Sequence, residues 1–237
     1  MAKRRAARPT IVDVARKAGV SKSLVSLVMR GASNVSETSR QAVLEAAEEL
    51  GYRPNAVARS LVQQRSFVIG VMVSDLSNPF FIDVIQGATD AARVAGYRAL
   101  VNTGGREKDN EEDAIETLLR LQVDGLVLAG SIVDSRFIER VGAEVPTVVT
   151  NRASRSRVID SIVIHDRKGA AMAVDHLVGL GHRKIAHITG GRGAGARNRL
   201  TGYRQAMKRH GLEGEIRVVP GAYTEEGGAE GVGRLMA

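Results

Sequence analysis

The first 50 residues place apolar side chains at helical spacing in three short runs. The first run repeats apolar residues three or four positions apart, which is the spacing of one helix face: Ile11, Val14, Ala15 and Ala18. Thr10 with Asp13 three positions later is a combination typical of a capping box at a helix start. Gly19 supplies the backbone freedom for a turn, and Ser21 is a candidate N-cap of a second helix. The pattern predicts two short helices joined by a tight turn.

The second and third runs complete a small helical unit. The second helix is predicted to end near Met29, with three apolar residues on its inner face: Leu24, Val25 and Val28. Ser36 is a candidate cap of a third helix that ends before Gly51, with an apolar face made of Val43, Leu44, Ala47 and Leu50. A short helix that follows a glycine turn and begins with polar side chains is typical of the recognition helix of a helix-turn-helix DNA-binding unit. A helical hairpin that only packs is the alternative.

From residue 67 the pattern changes to buried strands that alternate with helices. FVIGVMV, residues 67–73, is a continuous apolar run typical of a parallel strand that is buried on both faces. Further strands are predicted, with helices between them, at 98–102, 125–128, 147–150 and 161–164. A second set, from about Lys168, offers only two strands, at 184–189 and 216–219. The alternation predicts a doubly wound α/β core whose second lobe is incomplete, because an ordinary sheet has about five to six strands.

These patterns divide the chain into five predicted segments. In order they are a basic flexible arm (1–9), a helix-turn-helix head (10–53), a hinge helix or linker (54–65), a first α/β lobe (66–166) and a second α/β lobe (167–237). In the linker, Asn55 can cap a segment of only about two turns, which is too short to be a stable helix in isolation. The linker is therefore expected to become helical only when something packs against it.

The excess positive charge is concentrated at the amino-terminal end. The formal net charge is +8; residues 1–65 contain 12 Lys/Arg and 5 Asp/Glu, whereas residues 66–237 contain 22 and 21. This asymmetry favours a nucleic-acid-binding head on a near-neutral body. The arm MAKRRAAR could contact phosphates, since such contacts need only mobile positive charge, or it could be a disordered tail.

The composition argues against several other classes of protein. The chain has no Cys, which excludes disulfides and fits a cytoplasmic, nucleoid-associated protein. No apolar run approaches the roughly 18 residues of a membrane-spanning helix, and the basic amino terminus lacks the apolar segment of a signal peptide. The five His residues show no zinc-site spacing, and no Ser/His/Asp triad can be assembled. We therefore expect neither a metal nor a cofactor, and no enzymatic activity.

A glycine-rich stretch leaves an enzymatic alternative open. GGRGAG, residues 190–195, follows a predicted strand and precedes a predicted helix, as a nucleotide-binding loop does. The stretch does not fit G-x-G-x-x-G in register, and Glu215 begins the next strand instead of closing it. We interpret it as a flexible loop over a ligand cleft. The alternatives are a nucleotide-binding enzyme and a periplasmic-type small-molecule binding protein.

Motifs throughout the chain resemble those of the lac repressor/purine repressor (LacI-type) family of bacterial transcription regulators. TIVDVARKAGVSKSLVSLVMRG is similar to the family's head, and VSETSRQAVLEAAEELGYRPNAVARSL to its third helix and hinge. SFVIGVMVSDLSNPFF, VDGLVLAGS, VPTVVTNR and HLVGLGHRKIAHITG are similar to its core, which periplasmic sugar-binding proteins share in outline. The resemblance implies a repressor that binds a pseudo-palindromic operator in double-stranded DNA as a homodimer. It also implies control by a small-molecule effector, such as a sugar, between the core lobes.

The resemblance assigns DNA contacts to individual residues. Lys22, Ser23 and Leu27 match recognition-helix positions that read base edges, and the apolar Leu27 is expected to contact a thymine methyl group or to pack. Positions that contact the DNA backbone or cap helices are matched by Thr10, Ser21, Ser26, Asn34 and Asn55. Ala58 and Leu61 match the hinge pair that enters the minor groove, where Leu61 would unstack a base step as a wedge.

The resemblance also places an effector site in the core. Ligands in such folds bind beyond the carboxyl ends of the strands. Eight residues match cleft-side positions: Asp75, Asn78, Phe80, Asn151, Arg152, Asp166, Arg197 and Arg199. Guanidinium and amide groups suit sugar hydroxyls or a carboxylate. Because chains of this family continue beyond the position of Ala237, we expect a weakened second lobe and a weakened dimer here.

Overall fold

The structure is a computed structural model that describes residues 9–53, 65–191 and 193–237. It divides into two compact units, with the division between Ser66 and Phe67. The first unit is a helical head, and the second is an α/β core.

Three helices form the head: α1 Ile11–Ala18, α2 Lys22–Met29 and α3 Glu37–Glu49. The capping box predicted for α1 is confirmed, because the Thr10 amide donates to Asp13 Oδ2 at 2.9 Å and the Asp13 amide donates to Thr10 Oγ1 at 3.4 Å. Gly19 turns the chain at φ +66°, a left-handed conformation that glycine adopts without strain. Ser21 and Ser36 cap α2 and α3, also as predicted.

The head is held together by a small core of aliphatic side chains. Val14, Val25 and Val43, one from each helix, are fully buried. The prediction that Leu44 belongs to this core is wrong, because its side chain is 46% exposed. A residue one position after Val43 is rotated by about 100° around the helix axis, and Ala46 fills the inward position instead. A core of this size buries little surface, so the head has little stability to spare.

Five parallel strands form the sheet of the first lobe, in the order β2-β1-β3-β4-β5. The strands are β1 Val68–Val73, β2 Arg98–Thr103, β3 Gly125–Ala129, β4 Thr147–Thr150 and β5 Ile159–Ile162. The helices between them are α4 Pro79–Val94, α5 Lys108–Arg120 and α6 Ser135–Glu144. This order confirms the doubly wound prediction. β5 begins two residues earlier than predicted, because its register pairs Ile159 with Thr147 at the start of β4.

A two-stranded parallel sheet forms the second lobe. Its strands are β6 Ala186–Ile188 and β7 Arg217–Val219, and its helices are α7 Asp166–Gly179, α8 Ala196–Arg209 and α9 Glu225–Met236, with a short 3-10 helix at Glu213–Glu215. β6 is shorter than the predicted 184–189. The Ile185 side chain instead packs in the lobe's core with Val174 and Tyr203, whose hydroxyl donates to the Ile185 carbonyl at 2.7 Å.

Helices α7 and α8 lie side by side and run in the same direction. Asp166 pairs with Arg199 near their amino-terminal ends, and Asp175 pairs with Arg209 toward their carboxyl-terminal ends. Gly202 allows the close approach, since a Cβ there would lie 2.1 Å from the carbonyl oxygen of Arg167. The spacing of the two helices therefore depends on a glycine in α8.

A partly buried histidine is expected to make the second lobe less stable in acid. His187 in β6 stacks on Tyr203 with ring centroids 5.2 Å apart, and its Nε2 is buried with no hydrogen-bond partner in the described part of the chain. Burial lowers the pKa of His187, and the charges of Arg199 and Arg204 lower it further. The unfolded chain therefore binds a proton at His187 more tightly than the folded chain does. The associated stability is present above the unfolded pKa near 6.5 and is lost as the pH falls through the lower folded pKa.

Denaturant unfolding at several pH values between about 7.5 and about 5 measures this effect. The wild-type chain is expected to lose stability more steeply than His187→Gln as the pH falls. The control is His182→Gln, because His182 is exposed. If the free energy of unfolding falls equally with pH in the wild type and in His187→Gln, the prediction is contradicted.

Candidate functional site

The amino-terminal half of α2 presents polar side chains to solvent. Ser21, Lys22 and Ser23 are exposed, whereas Ser26 and Leu27 are partly buried. The Ser21 hydroxyl oxygen also accepts a hydrogen bond of 3.2 Å from the backbone amide three positions later, which fixes the start of the helix. This face therefore offers an ammonium group and hydroxyl groups on a short helix, which is the geometry that major-groove recognition uses.

The other predicted DNA contacts fall into two groups. Thr10 and Asn34 are exposed at the start of α1 and in the loop before α3, and the Thr10 hydroxyl donates to Asp13 Oδ2 at 2.7 Å. The hinge residues Asn55, Ala58 and Leu61 lie outside the described residues, as does almost all of the basic arm.

A cavity of about 320 Å³ lies beyond the carboxyl ends of strands from both sheets of the core. Four of the predicted effector residues line it: Asn78, Phe80, Asn151 and Arg199. Asn78 also caps α4, since its Oδ1 accepts a hydrogen bond of 3.0 Å from the Phe80 amide. Asn151 has φ +62°, a left-handed conformation that is uncommon outside glycine and that concentrates at functional sites.

Asp75 does not line the cavity, but its carboxylate pairs with the Arg106 guanidinium, which does. Asp75 Oδ1 also accepts hydrogen bonds from the Ser77 hydroxyl and amide, at 2.7 and 2.9 Å. Burial alone would raise the pKa of Asp75, but the hydrogen bonds from Arg106 and Ser77 outweigh it and hold the pKa below its ordinary value. Arg106 also donates to the Tyr223 carbonyl at 3.0 Å and so joins the two lobes at the cavity.

Asp166 likewise lies behind the cavity wall and holds an arginine that lines it. Arg199 Nε donates to Asp166 Oδ1 at 2.7 Å, and the Asp166 side chain is only 6% exposed. The Arg199 guanidinium lies 5.2 Å from the centre of the Tyr223 ring, within the range of a cation–π contact. The Tyr223 hydroxyl is buried without a hydrogen-bond partner among the described residues, and a bound molecule could supply one.

The remaining two predicted residues do not line the cavity. Arg152 turns to the start of α6, where it donates to the Ser135 hydroxyl at 2.7 Å and to the Val133 carbonyl. Arg197 is exposed on α8, two positions before Arg199 and therefore on another side of the helix. The expectation that these two side chains face the cleft is thus not met in the structure.

Sequence reasoning missed two prominent residues of the cavity wall. Arg106 follows β2 and Tyr223 follows β7, so both satisfy the rule that selected the other candidates. Applying that rule to every strand, not only to the first, fourth and sixth, would have found them.

The glycine-rich stretch forms one side of the cavity. Gly190, Gly191 and Gly193 line it. A Cβ at Gly190 or Gly193 would lie within 2.4 Å of the Tyr223 ring, so these glycines allow the ring to pack on the loop. This placement agrees with a loop over a ligand cleft.

The described residues contain neither a candidate metal site nor a candidate membrane-spanning helix. Within residues 9–53, 65–191 and 193–237, no cluster of three or more His, Cys, Asp or Glu is arranged to hold a metal ion. The same part of the chain has no helix that is both long and apolar enough to cross a membrane.

Two family models match the chain. Residues 10–55 match "Bacterial regulatory proteins, lacI family", and residues 66–236 match "Periplasmic binding proteins and sugar binding domain of LacI family". Catabolite control protein A from Priestia megaterium is 34% identical over 231 residues, which are 96% of this chain and 70% of that protein. The HTH-type transcriptional regulator GalR from Escherichia coli (strain K12) is 34% identical over 223 residues, 93% of this chain and 65% of that protein.

Solved structures of transcriptional regulators are also similar to this chain. A lac repressor dimer bound to operator and the anti-inducer ONPF has 30% sequence identity and a TM-score of 0.81, over 96% of this chain and 70% of that chain. A complex of the transcriptional regulator CelR with cellobiose has 28% identity and a TM-score of 0.61, over 97% and 70%.

The chain spans 65% to 70% of the length of these relatives. They are transcriptional regulators, which does not favour a nucleotide-binding enzyme or a periplasmic transport protein. With a matching head, a matching core and relatives above 30% identity, the chain belongs to the LacI family of bacterial transcriptional regulators.

Proposed function

We propose that this chain is a cytoplasmic repressor that binds a pseudo-palindromic operator as a dimer and responds to a small-molecule effector. The observation that carries the DNA-binding part is the exposed polar face at the start of α2, on a head of three capped helices. A two-fold dimer would place two such helices in successive major grooves. The lac repressor structure bound to operator is a dimer, which supports this arrangement.

We assign base recognition to α2 and backbone contacts to its surroundings. Lys22 and Ser23 are exposed donors at the start of the helix, and Leu27 offers an apolar contact one turn later. Hydroxyl and amide groups at the helix starts, within α2 and in the loop before α3 would contact the DNA backbone: Thr10, Ser21, Ser26 and Asn34. In the hinge segment 54–65, Ala58 and Leu61 are proposed to enter the minor groove of the operator.

The effector is proposed to occupy the cavity beyond the strand ends. Its wall combines aromatic rings with amide and guanidinium donors, a mixture that suits a hydroxylated ligand such as a sugar. Asn78, Phe80, Asn151 and Arg199 would contact the ligand, with Asp75 and Asp166 holding the two arginines in place. The CelR structure contains cellobiose, which supports the choice of a sugar.

Replacing Lys22 with alanine is expected to relax sequence preference. If Lys22 reads a base edge, affinity for the selected operator should fall by about 1–3 kcal/mol, while affinity for random duplex changes little. The operator is first selected from a random duplex pool, and binding is then measured by fluorescence anisotropy at several salt concentrations. Adding monosaccharides to the same titration tests the effector part of the proposal.

Lys17→Ala is the matched control, because it removes the same charge from a side chain that pairs with Glu49 on α3. An equal loss on operator and random duplex for Lys22→Ala, with a smaller salt slope, would assign Lys22 to a phosphate instead. No preference for any duplex in the selection would remove the repressor proposal altogether.

A further inference from the structure

A carboxylate is fully buried directly behind the cavity wall. Glu111, in the first turn of α5, has no exposed surface. The turn after β2 packs closely on it, since a Cβ at Gly104 would lie 2.5 Å from the Glu111 Cα and amide nitrogen. Glu111 does not itself line the cavity, although two residues that it contacts do. A buried carboxyl group is costly unless its hydrogen bonds are satisfied.

Three donors satisfy the two oxygens of Glu111. The Ser74 hydroxyl donates to Oε1. The Ser131 hydroxyl and the Ile132 amide donate to Oε2, at 2.9 and 2.8 Å. Because Ser74 follows β1 while Ser131 and Ile132 follow β3, this one side chain ties together the ends of two neighbouring strands.

The direction of the Ser74 hydrogen bond has a chemical consequence at the cavity. The Ser74 hydroxyl donates to Glu111 Oε1, so its single hydrogen is committed to that carboxyl group. Ser74 is one of the residues that line the cavity, and a hydroxyl oxygen whose hydrogen is committed elsewhere has only lone pairs to offer there. A ligand group that meets it must be a donor, such as a hydroxyl.

We propose that Glu111 is a positioning and specificity-determining residue of the effector site, because it fixes Ser74 as a hydrogen-bond acceptor toward the ligand. The proposal rests on the proposed function, in that it takes the cavity to be the effector site. As an acceptor, the Ser74 oxygen selects a ligand that has a hydroxyl hydrogen at one position, and it disfavours an analogue that has an acceptor-only group there. Leaving a polar group of the site unpaired is how such discrimination arises.

Glu111→Gln tests the assignment without changing the size of the side chain. The Gln amide oxygen can still accept from Ser131 and Ile132, and its NH2 group then faces Ser74. The Ser74 oxygen would accept from that group, and its hydrogen would turn to the cavity. The variant should therefore reverse the role of Ser74 while the fold persists, which circular dichroism checks.

The binding experiment uses a panel of monosaccharides, each compared with its monodeoxyfluoro analogues, because fluorine replaces a hydroxyl without being able to donate. For the wild-type chain, fluorine at one ring position should weaken binding by about tenfold in calorimetry. Ser74→Ala should abolish the penalty at that position, and Glu111→Gln should reduce it, because a donating Ser74 pairs only weakly with fluorine. Glu112→Gln, the same substitution at the neighbouring residue paired with Lys108, should retain it. An unchanged penalty in Glu111→Gln would overturn the proposal.

An infrared measurement on the chain alone separates this proposal from the proposed function. The wild-type minus Glu111→Gln difference spectrum at neutral pH should contain a carboxylate stretch. A carboxylic-acid carbonyl stretch in its place would overturn the acceptor role of Ser74, because a protonated Glu111 could donate to Ser74. If no sugar binds the wild-type chain, the sugar effector is refuted, and the infrared band still decides the state of Glu111.

Discussion

Gly202→Ala is expected to destabilise the core, whereas Gly169→Ala is expected to stabilise it. Both glycines lie inside helices, in α8 and α7, where alanine is intrinsically favoured by about 0.5–1 kcal/mol. A Cβ at Gly169 meets nothing within 4 Å, so that gain should be realised. At Gly202 the Cβ would lie 2.1 Å from the Arg167 carbonyl oxygen, which is backbone and cannot rotate away. The helices must then move apart, at a cost of about 1–3 kcal/mol.

Denaturant unfolding followed by far-ultraviolet circular dichroism measures both variants against the wild type. The two substitutions are chemically identical and lie on neighbouring helices. Effects of helix propensity and of the unfolded state therefore largely cancel when the two variants are compared with each other. We expect the free energy of unfolding to fall in Gly202→Ala and to rise in Gly169→Ala. Stabilisation by both variants would show that α7 and α8 are not held at the observed spacing.

Val14→Asn is expected to unfold the head and to abolish operator binding, whereas Val12→Asn is expected to change little. Val14 is fully buried on α1 between the other two helices, while Val12 on the same helix is 47% exposed. The buried asparagine loses apolar burial and leaves its amide without partners, at a cost of about 3 kcal/mol or more. A three-helix head has little stability from which to absorb that loss.

Thermal unfolding and duplex binding together measure this prediction. Operator affinity should fall to the level of random duplex, about a thousandfold or more, because α2 is positioned only by the folded head. Asparagine has the same helix propensity and no charge at either position, so Val12→Asn controls for both. Unimpaired operator binding by Val14→Asn would mean that the head core does not position the recognition helix.

The helix boundaries of the head could be predicted because local chemistry determines them. Thr10, Ser21 and Ser36 cap the three helices through contacts within three residues, and Gly19 makes its turn alone. The buried face of α3 was harder to predict, because both Leu44 and Ala46 lie at positions that helical spacing allows for an inward side chain. Leu44 is in fact exposed and Ala46 buried. Which residue is buried depends on the neighbouring helices, and that information is tertiary.

The candidate effector site was predictable only in part for the same reason. The strand-end rule placed Asn78, Asn151 and Arg199 at the cavity because it depends on topology alone. Glu111 gave no signal, because an acidic residue at the start of a charged helix is normally solvated. Its burial results from the approach of the turn after β2 and the loop after β3, which no local pattern encodes.

The position of Tyr223 in the cavity wall makes it a suitable site for a fluorescent reporter. The chain has no tryptophan and only four tyrosines, so all of its intrinsic emission is tyrosine emission. Tyr52 belongs to the head, Tyr97 lies with its ring tilted against Phe67 at the start of the first lobe, and Tyr203 lies inside the second. A single tryptophan in place of Tyr223, excited at a wavelength that tyrosine does not absorb, would be the sole emitter, and its emission wavelength and quenching would report events in the cavity.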